Sequence, residues 1–231
     1  MSILIGLSAC LGNVMMPRVA HLIADGKIDE CQPLLQKSLD YTLFLTIPLS
    51  VGLMVTAPYI ITILCGEAFS PAITTSIIVA PIILMLGLSN YFGIQILYPM
   101  GNIGNVTFCC GIGAVVDLIL CLLLLKTYTF DGAAFAYLSA EVITTLFLFI
   151  YTRKVVCIKL FKKQYLCYMF GSALMASGIY VFKSYDNILS INNFIIQVII
   201  AVCIYVSTLL IYADPLLKEI IGKFHYIKFW K

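Results

Sequence analysis

Long apolar runs, separated by short polar connections, dominate the chain. Between Ala68 and Val116, 49 consecutive residues include no Asp, Glu, Lys or Arg. A helix that crosses the hydrocarbon core of a bilayer needs ~20 mostly apolar residues, so this run is long enough for two crossings. The segment PMGNIGN, from Pro99 to Asn105, interrupts the run near its middle. The pattern predicts a helical hairpin inside a membrane.

Similar runs elsewhere predict six complete transmembrane helices. In lipid the backbone must satisfy its own hydrogen bonds, which only helices and closed barrels achieve. Barrel strands need about 9–11 alternating residues, whereas these runs have the length of helices. The predicted fold is therefore all-α and integral to the membrane. The six predicted spans are 39–65, 72–98, 104–125, 132–152, 164–182 and 194–212.

Segments outside these spans complete the predicted organisation. Residues 1–16 contain a shorter apolar run, which predicts a truncated transmembrane helix. Residues 17–38 place Val19, Leu22 and Ile23 at helical spacing, which predicts an amphipathic cytoplasmic connection on the membrane surface. The spans themselves form a four-helix core at 39–152 and two C-terminal helices within 164–212. A basic cytoplasmic loop at 153–163 separates these two groups, and a basic cytoplasmic tail at 213–231 follows them.

Basic residues divide unequally between the two sides of the predicted bundle. If the connection at 17–38 is cytoplasmic and the spans alternate, twelve of the 14 Lys and Arg residues fall on the cytoplasmic side. Only Lys126 and Lys183 fall on the other side. Membrane proteins carry such an excess in their cytoplasmic loops. The split supports the number of spans and predicts a cytoplasmic C-terminus.

Composition agrees with this prediction and excludes most soluble classes of protein. Hydrophobic residues make up 62% of the chain and charged residues 11%, against ~25% charged in soluble domains. The nine cysteines lie mostly in apolar runs, where free Cys behaves as a small hydrophobe. No nucleotide-binding, hydrolase or metal motif occurs, and His21 and His225 both lie outside the spans. We therefore predict neither an enzyme nor a cofactor, metal site or nucleic-acid partner.

Two carboxylates stand near the middle of predicted spans. Asp117 lies in the third span and Glu141 in the fourth, which follow one another and are antiparallel. A charge at the bilayer centre costs about 2.5–3.5 kcal/mol, so such residues normally face a partner or a water-filled cavity. The pair predicts a polar, cavity-lining site for substrate or an ion. The alternative is a hydrogen-bonded packing contact.

Other polar and helix-distorting residues occur within the spans. Asn90 and Gln95 are candidates for the same cavity, although we favour an interhelical hydrogen bond, which is common for such residues in membranes. Pro48, Pro58 and Pro81 lie inside spans, and proline removes a backbone donor. We expect helix kinks at these three positions.

Several segments resemble polysaccharide and lipid-linked oligosaccharide flippases of the O-antigen-transporter kind. NVMMPRVAHLIADGKIDE resembles their cytoplasmic turn, and TIPLSVGLMVTAPYIITILCGEAFSPA resembles the helix that follows. NYFGIQILYPMGNIGN is similar to the next inner hairpin, and FDGAAFAYLSAE to the start of a later helix. The segments follow the same order as in the family, and the resemblance as a whole extends from about Gly12 to Lys154.

The resemblance carries several implications. The family belongs to the multidrug/oligosaccharidyl-lipid/polysaccharide exporter superfamily, which implies two helical lobes around a central cavity and alternating access. It also implies the bacterial inner membrane and an undecaprenyl-diphosphate-linked glycan as substrate. Because complete members have twelve to fourteen helices, we expect this chain to be a C-terminal lobe. Its expected partners are membrane lipids, the lipid-linked glycan, and a missing N-terminal lobe or second subunit.

Alternative functions remain open from the sequence. A multidrug or cation antiporter of the same superfamily would use Asp117 or Glu141 for ion coupling. A glycan polymerase or ligase would need a larger outer loop than this chain provides. A truncated remnant without transport activity would retain the same helices. Asn102 and Asn105 stand where the resemblance implies Lys, so substrate contacts at that hairpin are not carried over.

Overall fold

The chain folds into a bundle of long helices. A computed structural model describes residues 14–156, 158, 162–185, 191–212 and 216–217, and no strand occurs among them. The predicted all-α membrane fold is confirmed. The elements are α1 (Val14–Ala24), α2 (Ile28–Cys65), a 3₁₀ turn (Glu67–Phe69), α3 (Ala72–Val79), α4 (Ile82–Asn90), a π-helical segment (Tyr91–Leu97), α5 (Ile103–Val155), α6 (Lys163–Tyr185) and α7 (Ile191–Ile211).

The predicted connection at 17–38 is shorter in the structure. The first predicted helix, at 1–16, lies mostly outside the described residues, and the described part of α1 includes Pro17. Gly26, with φ of +73°, ends α1. Residues from Ile28 onward already belong to α2, so the first full helix begins well before residue 39.

Proline acts differently in the first two passes of the bundle. α2 stays helical across Pro33, Pro48 and Pro58, and the hydroxyl of Thr62 bonds the Pro58 carbonyl at 2.8 Å. The second pass instead divides at Pro81, which separates α3 from α4. Of the three expected distortions, the structure places the clear break at Pro81. The turn after the π-helical segment, with Gly101 at φ +74°, forms the predicted hairpin between the second and third passes.

α5 is a helical hairpin, not one straight helix. Its 53 residues would extend about 80 Å if straight, whereas a hydrocarbon core is about 30 Å thick. Thr129, with φ 47° and ψ −122°, reverses the chain. A Cβ placed on Gly132 would lie 2.6 Å from the carbonyl oxygen of Leu124, and Gly113 packs against Thr144. α5 therefore supplies the third and fourth passes as two antiparallel arms.

The turn of this hairpin predicts a measurable difference between two glycines of α5. Gly132→Ala should lower the free energy of unfolding by about 1–3 kcal/mol, because the added methyl meets the fixed Leu124 backbone. Gly111→Ala is the matched control, since nothing lies within 4 Å of the methyl group that this change adds, and Ala favours a helix over Gly. Thermal unfolding in detergent should show a lower Tm for the first variant only. Equal Tm values would show that Gly132 and the Leu124 backbone are not in contact.

α6 and α7 complete the six passes. α6 runs parallel to α2, since Tyr165 meets Asp40 at one end and Met175 lies 3.5 Å from the Cβ position of Gly52 farther along. α7 returns antiparallel to α6, with Thr208 beside Gly171. Four helices of the described residues are long and apolar enough to cross a bilayer, namely Glu30–Cys65, Ala72–Leu97, Ile103–Val155 and Phe194–Ile211. Counting α5 twice and adding α6 gives six.

Candidate functional site

The structure brings the two predicted carboxylates into one region of α5. Because Gly113 packs beside Thr144, the next turn of each arm sets Asp117 level with Glu141. Both residues are half-buried. Tyr137 lies within electrostatic range of both carboxylates and is 41% exposed. The side chain of Ser89, on α4, hydrogen-bonds Glu141. We refer to Ser89, Asp117, Tyr137 and Glu141 as the acidic cluster.

The acidic cluster combines a packing contact with an accessible surface. Glu141 is held against a neighbouring helix by Ser89, as expected for a mid-depth carboxylate. Among the residues that the structure describes, no Lys or Arg forms an ion pair with Asp117 or Glu141. That part of the chain also contains no group of three or more His, Cys, Asp or Glu side chains suited to a metal. The cluster can therefore accept hydrogen bonds from a polar group or balance a single cation.

The other two predicted cavity residues lie in different environments. Asn90 is half-buried at the end of α4, directly after Ser89 and close to the acidic cluster. Gln95 is 1% exposed, and its carbonyl oxygen accepts a hydrogen bond from the hydroxyl of Ser38 on α2. Gln95 is therefore a packing residue, which corrects its assignment to the cavity and agrees with the alternative of an interhelical bond.

A partly buried ion pair that the sequence did not predict joins α2 to the start of α6. Lys162 Nζ lies 2.6 Å and 3.0 Å from the two carboxylate oxygens of Asp40. The hydroxyl of Tyr165 donates to Asp40 at 2.7 Å, and the Gln36 amide nitrogen lies 3.1 Å from that hydroxyl. We refer to Gln36, Asp40, Lys162 and Tyr165 as the Asp40 cluster. Its members are 122 or more residues apart across the two helices, so no local motif could have indicated it.

A row of hydroxyl side chains along α2 is a signal visible in the sequence that did not enter the predicted site. Ser38, Thr42, Thr46 and Ser50 recur at every fourth residue and are all buried. Thr42 and Thr46 bond carbonyls of their own helix at 2.9 Å and 2.8 Å. Ser50 instead bonds the carbonyl of Ala80 on the second pass at 3.1 Å. Small polar residues at this spacing allow membrane helices to approach closely.

A long apolar groove lies between α2, α6 and α7. It encloses about 420 Å³ and is lined along α2 from Phe44 to Ile60. Met175 and Ile179 of α6 and residues of α7 from Phe194 to Val206 form its other walls. None of its described lining residues is charged. At one end Phe44 stacks edge-on to Tyr168 at 5.8 Å, one helical turn from Asp40. The groove is suited to an extended hydrocarbon chain.

The acidic cluster and the groove lie in different parts of the bundle. α5 packs against α3, α4 and the π-helical segment, whereas α6 packs against α2 and α7. α2 therefore separates a polar site on one side from an apolar site on the other. Such an arrangement can bind a molecule that has both a polar and an apolar part.

Comparisons with known proteins agree with this architecture. The profile of a family described as lipid II flippase MurJ matches residues 3–206. A solved structure, lipid II flippase MurJ in an inward closed conformation, matches with a TM-score of 0.76 at 20% sequence identity. The match covers 92% of this chain and 45% of that flippase, so the chain spans less than half of its length. A search among curated proteins found no match.

Proposed function

The chain belongs to the MurJ family of lipid II flippases, and from this premise we propose that it forms one lobe of a transporter for lipid-linked peptidoglycan precursors. The predicted flippase superfamily is confirmed, while the narrower resemblance to O-antigen transporters is not what the family profile matches. We further propose a multi-pass location in the bacterial inner membrane with a cytoplasmic C-terminus, on the basis of the unequal distribution of basic residues.

One observation carries this proposal beyond the family match. The same bundle presents an apolar groove and a separate acidic cluster on opposite sides of α2. A lipid-linked glycan has one hydrocarbon part and one hydroxyl-rich part, and each matches one of these surfaces. We propose that the hydrocarbon chain occupies the groove and that Asp117, Glu141 and Asn90 line the path of the polar part. An antiporter for small cations would use the acidic cluster but would leave the groove without a role.

Transport of two lipid-linked glycans tests this assignment. The chain is reconstituted into liposomes together with the amino-terminal half of a MurJ flippase. Fluorescent lipid II and an undecaprenyl-diphosphate-linked O-antigen unit are supplied in parallel, and exposure of each headgroup is followed over time. We expect lipid II to be flipped faster. Faster movement of the O-antigen unit would instead support the polysaccharide flippase that the sequence motifs resemble.

The acidic cluster predicts opposite effects of one substitution on activity and stability. Glu141→Leu should reduce lipid II flipping roughly tenfold, because a path for a hydroxyl-rich group loses a charged hydrogen-bond acceptor. Its thermal stability should stay equal or rise, because a mid-depth charge is removed. Glu67→Leu, in the exposed 3₁₀ turn, is the control and should leave flipping unchanged. A fall in both properties would assign Glu141 to packing alone.

A further inference from the structure

The two partners of the partly buried ion pair differ in their access to the surroundings. The side chain of Lys162 is 27% exposed, whereas that of Asp40 is 11% exposed. An anion that approaches this end of the bundle therefore meets the ammonium group first. Lysine binds phosphate well as a compact point charge. Lys162 is accordingly placed to exchange one anionic partner for another.

Asp40 would not be left without partners by such an exchange. Removing one member of a buried ion pair is normally costly, because the other charge remains uncompensated. Here the Tyr165 hydroxyl donates to Asp40 at 2.7 Å, and the Gln36 amide lies 3.5 Å from the same carboxylate oxygen. These donors remain on Asp40 when the ammonium group turns away. The cluster is therefore compatible with two positions of Lys162.

The apolar groove ends where this exchange would occur. Phe44 lines the groove, stacks on Tyr168 and lies one helical turn along α2 from Asp40. The ring centroids of Tyr165 and Tyr168 are 6.2 Å apart, so neighbouring aromatic rings extend from the groove to the cluster. A hydrocarbon chain in the groove would bring its attached head group next to Lys162. The groove itself offers that head group no charged side chain among the residues described.

We propose that Lys162 binds the phosphate of a polyprenyl diphosphate whose hydrocarbon chain occupies the apolar groove, and that Asp40 is the resting partner which the phosphate displaces. This inference rests on the proposed function, since it assumes a diphosphate-linked lipid as substrate. The diphosphate carries more negative charge than the carboxylate that it replaces, so the exchange favours the bound state.

Binding of a short polyprenyl diphosphate tests this proposal. The full chain, in nanodiscs of neutral phosphatidylcholine, is titrated with farnesyl diphosphate, with farnesol and with inorganic diphosphate. We expect Lys162→Met to weaken farnesyl diphosphate binding roughly tenfold, the loss of one charge-assisted hydrogen bond. Asp40→Asn should strengthen binding, because the competing carboxylate charge is gone. Lys163→Met, at the exposed neighbouring residue, is the matched control and should bind like the parent.

Opposite effects of the two substitutions are the decisive result. A purely structural ion pair would make Asp40→Asn and Lys162→Met weaken binding equally, which would overturn the proposal. Equal affinity for inorganic diphosphate would overturn the role of the groove. The titration is repeated in nanodiscs that also contain phosphatidylglycerol. If this lipid competes with farnesyl diphosphate equally well, the site binds bulk anionic lipid instead. Where Lys162→Met fails to fold, Lys162→Gln keeps a hydrogen bond to Asp40 and takes its place.

A parallel flipping assay separates this inference from the proposed function. If Lys162→Met flips lipid II at the parental rate when paired with the amino-terminal half, the phosphate contact is wrong and the flippase assignment stands. If the parent protein binds farnesyl diphosphate as expected but never flips lipid II, the binding site stands and the proposed function is wrong.

Discussion

Liposomes that contain only this chain are expected to flip no lipid II above the rate of protein-free liposomes. Alternating access requires two bodies that move against each other around a site between them. The chain spans 45% of the matched flippase, and its six passes form one such body. Asp117 and Tyr137 would face lipid or another copy in place of a second lobe, where polar groups are costly.

The control for this experiment is the same preparation supplied with the amino-terminal half of a MurJ flippase, which should restore transport. Size-exclusion chromatography in detergent establishes whether the chain is monomeric or dimeric before reconstitution. Flipping by a monomer without the other half would show that these six passes transport alone. Flipping by a dimer alone would show that a second copy takes the place of the other lobe.

Filling the apolar groove should abolish transport in the reconstituted pair. Gly52 lies in the wall of the groove, and its Cβ position is 3.5 Å from Met175 in the adjoining wall formed by α6. A phenylalanine there would occupy much of the 420 Å³ that we assign to the hydrocarbon chain. We expect Gly52→Phe to reduce lipid II flipping to the background rate, because the chain then has no site on the protein.

A matched substitution separates loss of the groove from loss of folding. Gly104→Phe places the same side chain on α5. Nothing lies within 4 Å of the Cβ position of Gly104, so this variant should transport at close to the parental rate. Overpacking costs about 1–3 kcal/mol, so thermal unfolding of both variants is measured beside transport. A folded Gly52→Phe protein that transports normally would exclude the groove as the lipid site.

The fold was predictable from the sequence because each pass is a long apolar run with a short polar end. The run from Ala68 to Val116 indicated both the second and third passes, and Gly101 marked the turn between them. The start of α2 was not predictable in the same way. Residues before Leu39 are polar enough to resemble a surface connection, yet Leu35 and Cys31 are buried against other helices, and this packing extends the helix.

The site was predictable only where its chemistry was unusual for a membrane. Asp117 and Glu141 stood out because charge is rare at mid-depth, and the antiparallel arms of α5 bring them level. Gln95 is likewise a polar residue inside an apolar run, but only the contact with Ser38 shows that it packs between helices. Asp40 gave no such signal, since it lies near the end of a span where charge is common. Its role depends on Lys162 and Tyr165, which tertiary structure brings to it.

The row of hydroxyls on α2 determines how this helix can move. Thr42 and Thr46 satisfy their hydroxyls within α2, so neither ties the helix to the second pass. Between them, the carbonyl of Phe44 accepts a hydrogen bond from the Tyr205 hydroxyl on α7 at 2.9 Å. Ser38 and Ser50 are bonded to the second pass, and hydrogen bonds weaken steeply when their geometry is disturbed. Displacement of the whole helix would break both bonds, whereas bending between them would break neither. Pro48 lies in that interval and lacks a backbone donor, so we expect α2 to flex there and widen or narrow the groove that Pro48 itself lines.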